Sequence, residues 1–167
     1  MKKLVFATLA FVFLAGVSRA QDVPQAELAV GYSYVDTVKG SSLTASGGSG
    51  SVAWNANDWL GAVGDFALYH SSPIGPGLAA GTYTFGPRFS YRHWGKFTPF
   101  AQVLLGGVRY AHNALAFGAG GGADIALDRR GRFALRPQLE YFGFRTNGST
   151  IDTIRYSIGI VFRIGAK

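Results

Sequence analysis

The sequence predicts an all-β fold, an eight-stranded antiparallel up-and-down β-barrel that crosses a membrane, and three observations support this prediction. Between residues 154 and 164, isoleucine, tyrosine and phenylalanine alternate with a second set of side chains that includes Arg155 and Arg163. Successive side chains on a strand point to opposite faces, so this segment has one apolar and one largely polar face. An export signal precedes the rest of the chain, which divides into eight segments of this kind. An even number of strands returns both ends of the chain to the same side of the membrane.

The export signal occupies the first twenty residues. Lys2 and Lys3 form a positive start, residues 4–17 are apolar, and Ser18-Arg19-Ala20 supplies small residues at the positions that a signal peptidase reads. The apolar run is too short to span a membrane comfortably as a helix. We therefore predict a signal peptide at residues 1–20, cleaved after Ala20, and a single barrel domain at residues 21–167.

Eight strand segments follow, separated by residues that favour turns. They are roughly residues 25–35, 49–56, 59–69, 82–91, 97–108, 117–127, 132–143 and 153–165. Tight turns are predicted at residues 57–58, 93–96 and 128–131, and longer loops rich in Gly, Ser, Thr or Asn at residues 36–48, 70–81, 109–116 and 144–152. Short turns at one end and longer loops at the other are typical of barrels in the bacterial outer membrane.

Composition excludes several classes of protein. The chain has 24 Gly, 13 Phe and 8 Tyr but no Cys, so disulfide frameworks and thiol chemistry are excluded. No spacing of Cys and His suggests a metal site, and we predict no cofactor. The formal net charge of +7 falls when Lys2, Lys3 and Arg19 are removed with the signal. The remaining charge is small and dispersed, which does not favour a nucleic-acid partner.

Aromatic residues are predicted to form two girdles at the membrane surfaces, where an amphipathic ring lies at the level of the lipid headgroups. The girdle toward the loops comprises Tyr32, Tyr34, Tyr83, Phe85 and Tyr141, and the girdle toward the turns comprises Trp54, Trp59, Tyr91, Phe97, Phe133 and Phe162.

Charged residues are predicted on the opposite, inward face of the strands, as four acids and four bases. Reflecting each hairpin about its connection pairs Asp65 with Arg88, Asp124 with Arg136, and Glu140 with Arg155, and closing the barrel brings Glu27 near Arg163. Opposite charges at equal depth would tie neighbouring strands together. Eight strands enclose an interior that side chains can fill, so these pairs, with Gln102 and Gln138, are predicted to plug it.

Two features that could suggest an activity have simpler interpretations. Residues 118–123 are rich in glycine, but a dinucleotide-binding loop requires a following helix, and small residues that give larger neighbours room explain the run better. His70, beside Ser71 and Ser72, is the only histidine near the loop end that could activate a nucleophile, and no acid is expected at its depth. We therefore predict that the protein is not an enzyme.

Three segments carry a resemblance to a known family: residues 98–107 (TPFAQVLLGG), 120–124 (GGGAD) and 155–163 (RYSIGIVFR). They resemble the small outer-membrane β-barrel domain family, which is related in form to the OmpA transmembrane domain and to OmpX. The resemblance covers essentially all of residues 21–167. It implies a bacterial cell-envelope protein that the barrel assembly machinery inserts and outer-membrane lipids surround.

Three functional hypotheses remain at this stage. The first is a monomeric structural or surface-interaction barrel with a plugged, salt-bridged interior and four extracellular loops, whose surface ligand the sequence leaves open. The second is a small passive pore. The third is a soluble, lipocalin-like barrel that binds an apolar ligand, with the aromatic residues inside and the charges outside, because alternation alone does not say which face is inward.

Overall fold

The computed structural model describes residues 23–38, 44–70, 79–109, 113–146 and 149–165, and the predicted signal peptide lies outside these residues. The strands are β1 (Ala26–Thr37), β2 (Thr44–Asn55), β3 (Leu60–His70), β4 (Ala79–Ser90), β5 (Phe97–Arg109), β6 (Asn113–Ala126), β7 (Phe133–Thr146) and β8 (Ser149–Ile164). Each strand pairs antiparallel with the next, and β8 pairs with β1 to close the barrel. The predicted eight-stranded, antiparallel, up-and-down topology is confirmed. Within the described ranges no helix is long and apolar enough to cross a membrane.

Strands extend farther toward the loop end than we predicted. Residues 44–48, expected in a loop, belong to β2, and Gly48 lies opposite Tyr32 on β1 and Leu68 on β3. The hydrogen bonds of a strand ladder come from the backbone, so a Gly- and Ser-rich segment can pair without alternating apolar side chains. The predicted loops at 36–48, 70–81, 109–116 and 144–152 were therefore too long, and the described strands reduce the connections to residues 38–43, 71–78, 110–112 and 147–148.

The predicted tight turns all lie at the opposite end, which we call the turn end. The connection between β2 and β3 is closed by Asn57, whose side-chain oxygen accepts hydrogen bonds from the backbone N–H groups of Trp59 and Leu60 at 3.0 and 2.7 Å. The other two turns contain Gly95 and Gly131 with φ of 61° and 65°, a left-handed conformation that glycine adopts without strain.

Alternation divides every strand between an outer wall and an interior. On β8 the side chains of Ile158, Ile160 and Phe162 are exposed on the outer wall, whereas Arg155 and Val161 are buried inside. Of the eleven buried apolar residues in the described ranges, five are alanine and two are valine. The large apolar side chains thus lie mainly outside, and the interior is occupied mainly by small and polar residues with a few large apolar side chains among them.

The glycines of β6 give interior side chains the room they need. A side chain at Gly118 would meet the ring of Phe142 on β7, and one at Gly120 would meet Glu140 on the same neighbouring strand. Because β6 continues as a strand through Ala126, no helix follows the glycine run. The packing interpretation is confirmed for Gly118 and Gly120.

Candidate functional site: the charged barrel interior

All eight charged residues predicted for the inward face lie inside the barrel. These are Glu27, Asp65, Arg88, Asp124, Arg136, Glu140, Arg155 and Arg163, and none of their side chains is more than 9 % exposed. Unpaired buried charge is costly, so such groups must satisfy one another through ion pairs and hydrogen bonds. They do so in two clusters.

The first cluster, which we call the Glu27 cluster, lies toward the turn end. It comprises Glu27, Asp124, Arg88, Arg92, Arg136 and Arg163. Arg136 holds Asp124 through two parallel bonds, Nε to Oδ1 at 2.5 Å and Nη2 to Oδ2 at 2.7 Å. The same Nη2 atom donates to Glu27 Oε2 at 2.7 Å. Arg136 therefore joins both acids, and the paired geometry on Asp124 is the strong, forked form of a charge-assisted hydrogen bond.

Other cations complete the Glu27 cluster. Arg92 lies 3.0 Å and Arg88 3.5 Å from the Glu27 carboxylate, measured from a terminal nitrogen of each guanidinium. Arg163 Nη2 donates to Asp124 Oδ2 at 3.1 Å. Four guanidinium groups thus converge on two carboxylates at this end of the interior.

The second cluster, the Arg155 cluster, lies toward the middle of the barrel and comprises Arg155, Glu140, Asp65 and Tyr69. Arg155 Nε donates to Glu140 Oε2 at 2.7 Å, and its Nη2 forms a second contact with the same oxygen. Its Nη1 donates to Asp65 Oδ1 at 2.7 Å and to the Tyr69 hydroxyl at 3.4 Å. One cation thus serves two acids, on β7 and β3.

Gln102 on β5 joins the two clusters. Its side-chain oxygen accepts from Arg88 Nε at 2.8 Å, and its amide nitrogen donates to Glu140 Oε1 at 2.7 Å. Buried aromatic rings lie against the same cations: Arg88 and Arg136 contact the face of Phe100 at 4.5 and 4.9 Å from its centroid. The interior is therefore one connected polar network with aromatic rings packed into it.

The structure brings two of the predicted ion pairs together, Asp124 with Arg136 and Glu140 with Arg155. The predicted pairing of Asp65 with Arg88 is wrong, because Asp65 lies opposite Thr84 and Arg88 lies opposite Gly61 in the register of β3 and β4. Reflection about the middle of the loop misjudged that register by several residues. Asp65 instead binds Arg155 across the barrel.

Glu27 and Arg163 are directly opposite on β1 and β8, as predicted, but their charged groups bind other partners. A long arginine side chain can cross a narrow interior, so the nearest strand neighbour is not necessarily the ionic partner.

Several members of the network were not among the predicted residues. Arg92 was not considered because it follows the end of β4, yet it continues the even-numbered inward positions of Arg88 and Ser90. Asn55 donates from its side-chain amide to Glu27 Oε1 at 3.1 Å and ends the inward positions of β2. Extending the alternation one position past the predicted segment 82–91 would have found Arg92, whereas Asn55 already lay within the predicted segment 49–56 at an inward position.

The aromatic residues predicted for the girdles all lie on the outer wall. Tyr32, Tyr34, Trp54, Trp59, Tyr83, Phe85, Tyr91, Phe97, Phe133, Tyr141 and Phe162 are all exposed. Trp94 was missed because it lies in a turn, where it stacks on Phe97 with ring centroids 6.0 Å apart and meets Tyr91 edge-on at 5.3 Å. A lipocalin-like barrel would have the aromatic and charged faces the other way round.

The histidine considered as a catalytic candidate is the last residue of β3. His70 is exposed on the outer wall, opposite Ser46 and Ala79. Ser71 and Ser72 lie outside the described residues. The interior beside Asp65 and Arg136 contains a cavity of about 20 Å³ lined also by Ser49, Ser51 and Ser157. This space fits a single water rather than an apolar ligand, for which pockets are more than ten times larger.

Comparison with known proteins identifies which proteins share this fold. No protein-family model matches the sequence, and none of the curated proteins matches it either. Solved structures do. Neisserial surface protein A (NspA) matches with a TM-score of 0.62 and 14% identity, over 84% of this chain and 97% of that one. Ail, the attachment invasion locus protein of Yersinia pestis, matches with a TM-score of 0.59 and 11% identity, over 85% of this chain and 99% of that one. The outer membrane protein OprG from Pseudomonas aeruginosa matches with a TM-score of 0.59 and 10% identity, over 85% of this chain and 96% of that one.

The chain therefore has the fold of the small eight-stranded outer-membrane barrels, which the resemblance to the OmpA transmembrane domain and OmpX predicted.

Proposed function

We propose that this protein is a structural and surface-interaction barrel of the bacterial outer membrane, with an interior closed by its own ion pairs. One observation carries the proposal: the barrel is inverted relative to a water-soluble protein. Large apolar side chains such as Val30, Leu68 and Leu105 are 60–72 % exposed on the outer wall, while Arg88 and Arg155 are almost fully buried. An apolar surface this extensive is unfavourable in water and favourable in lipid.

The remaining parts of the proposal follow from this inversion. Residues 1–20 direct export and are removed after Ala20, the barrel assembly machinery inserts residues 21–167, and the two aromatic girdles lie at the lipid headgroups. The protein acts as a monomer without catalysis or cofactor, and its four loops face the outside. A surface protein and an attachment protein among the similar structures support a role at the cell surface.

The location is tested by expressing the chain in a Gram-negative host. We expect it in the outer-membrane fraction, resistant to extraction with urea, and in detergent we expect the unheated and boiled protein to migrate differently in a gel. A closed sheet in which each strand pairs with both neighbours resists the gel's detergent until the sample is heated, which is the reason for the mobility difference. Recovery as a soluble periplasmic monomer would contradict the proposal and favour the lipocalin-like hypothesis.

The closed interior is tested by electrical recording. The Arg155 cluster and Gln102 connect strands across the interior that are not neighbours, β5 with β7 and β3 with β8, so we expect no stable ohmic current when the protein is reconstituted in planar bilayers. Steady single-channel currents of the size of a general porin would instead favour the passive-pore hypothesis.

A further inference from the structure

The turn end of the barrel has a concentration of exposed cations beside an exposed apolar wall. We call this surface the basic rim, and it comprises Lys96, Arg129, Arg130 and Arg132. The two turns that contain it are neighbours in space. The backbone N–H of Ala126 donates to Lys96 O at 2.8 Å, and the N–H of Arg163 donates to Arg132 O at 2.8 Å. The rim therefore spans the turn between β4 and β5 and the adjacent turn between β6 and β7.

The cations of the basic rim have no acidic partner in the described part of the chain. None of the four forms a salt bridge there. The one acid in the same turns, Asp128, accepts a hydrogen bond at 2.9 Å from the backbone N–H of Phe133, and this bond lowers the pKa of its carboxyl. Asp124, deeper inside, is already bound by Arg136 and Arg163. Asp128 is itself ionised, so the four cations and this one carboxylate leave the rim with a net charge of +3.

An apolar wall lies directly beside the rim. Trp94 and Leu127 are 61 % and 59 % exposed, and Phe133 and Phe162 lie next to each other with centroids 5.4 Å apart. Aromatic rings of this kind mark the level of the lipid headgroups, and the cations one residue or two beyond them would lie at the level of the phosphates.

We propose that the basic rim binds the phosphate groups of anionic phospholipids in the leaflet at the turn end, while Trp94, Phe97 and Phe133 contact their acyl chains. This proposal rests on the proposed function, since it requires the barrel to lie in a bilayer. The adjacent apolar wall distinguishes a lipid from a nucleic acid or an acidic peptide, which would need a polar surface around the cations. Guanidinium groups match phosphate geometry well, and each cation near an anionic surface raises affinity by about five-fold.

The chain supplies a matched reporter for the test because its only tryptophans are Trp54, Trp59 and Trp94. Trp94, beside the rim, is 61 % exposed, and Trp54, on the far side of the same end, is 64 % exposed. The turn nearest Trp54 contains Asn57 and Asp58 and no cation. The double variant Trp54→Phe/Trp59→Phe leaves Trp94 as the single reporter, and Trp59→Phe/Trp94→Phe leaves Trp54 as the control.

Both reporters are inserted into phosphatidylcholine vesicles with phosphatidylglycerol as the minor component, and one lipid at a time has brominated acyl chains that quench tryptophan fluorescence. We expect the apparent affinity for phosphatidylglycerol relative to phosphatidylcholine, measured from the quenching of Trp94, to be about five-fold or more. At Trp54 we expect the two lipids to quench nearly equally. High salt should remove the preference at Trp94, and so should Lys96→Gln/Arg129→Gln/Arg130→Gln/Arg132→Gln.

Equal quenching by the two lipids at Trp94, or a preference that persists in high salt, would overturn the inference even if the quadruple variant failed to insert. The proposed function fails in a different way. If neither lipid quenches either reporter, the barrel is not in the bilayer, and the proposed function is overturned together with this inference.

Discussion

Replacing Arg155 with methionine is expected to be among the most destabilising single substitutions in the barrel, lowering the free energy of unfolding by at least about 3–5 kcal/mol. Arg155 is the ionic partner of both Glu140 and Asp65, and the three side chains are at most 6 % exposed. Methionine fills much of the volume but leaves two carboxylates without a cation in an interior from which water is largely excluded. The substitution also removes the cation–π contact of the Arg155 guanidinium, which lies 4.7 Å from the centroid of the Phe142 ring.

The measurement is urea-induced unfolding in detergent micelles, with Arg109→Met as the matched control. Arg109 is the last residue of β5, where it is exposed on the outer wall. Its replacement should lower the free energy of unfolding by at most about 1 kcal/mol. If Arg155→Met does not fold, the triple variant Asp65→Asn/Glu140→Gln/Arg155→Met should, because no orphan charge remains. Equal costs for Arg155→Met and Arg109→Met would show that Arg155 is not a buried ionic partner.

The features of this fold that could be predicted from the sequence are those set by local alternation along a strand. On β8 the inward positions of Arg155 and Arg163 and the outward positions of Ile158 and Ile160 follow from a period of two, which any strand has. Pairs across a short turn could also be predicted. Asp124 and Arg136 flank the turn between β6 and β7, where few residues separate the strands and the register has little freedom.

Contacts across the barrel could not be predicted in this way. The ion pair between Asp65 and Arg155 joins β3 to β8, which are not neighbours, and it depends on the closure and stagger of the whole barrel. The register of β3 and β4 depends on residues 71–78, a connection whose centre the sequence does not mark. Glu27 and Arg163 show the remaining limit: their strand positions were correct, but side-chain length selected other partners.

The second large effect on stability is expected at Asp124 and Arg136, whose side chains are 2 % and 4 % exposed. Either Asp124→Ala or Arg136→Ala should lower the free energy of unfolding by about 3–5 kcal/mol, because each leaves a charge without its forked partner. The double variant should recover much of the loss. It frees Arg163 from Asp124 and Glu27 from Arg136, and these two residues lie directly opposite on β8 and β1, where they can pair with each other.

A double-mutant cycle on Asp124 and Arg136 is the most direct test of the claim that the charged face is the inside of the barrel. The control cycle uses Tyr141 and Asp152, which share an exposed hydrogen bond of 2.5 Å between β7 and β8 on the outer wall. We predict a coupling energy above about 1.5 kcal/mol for the interior pair and below about 1 kcal/mol for the control. A coupling below about 0.5 kcal/mol between Asp124 and Arg136 would mean that these charges face water, and the assignment of inner and outer faces would be wrong.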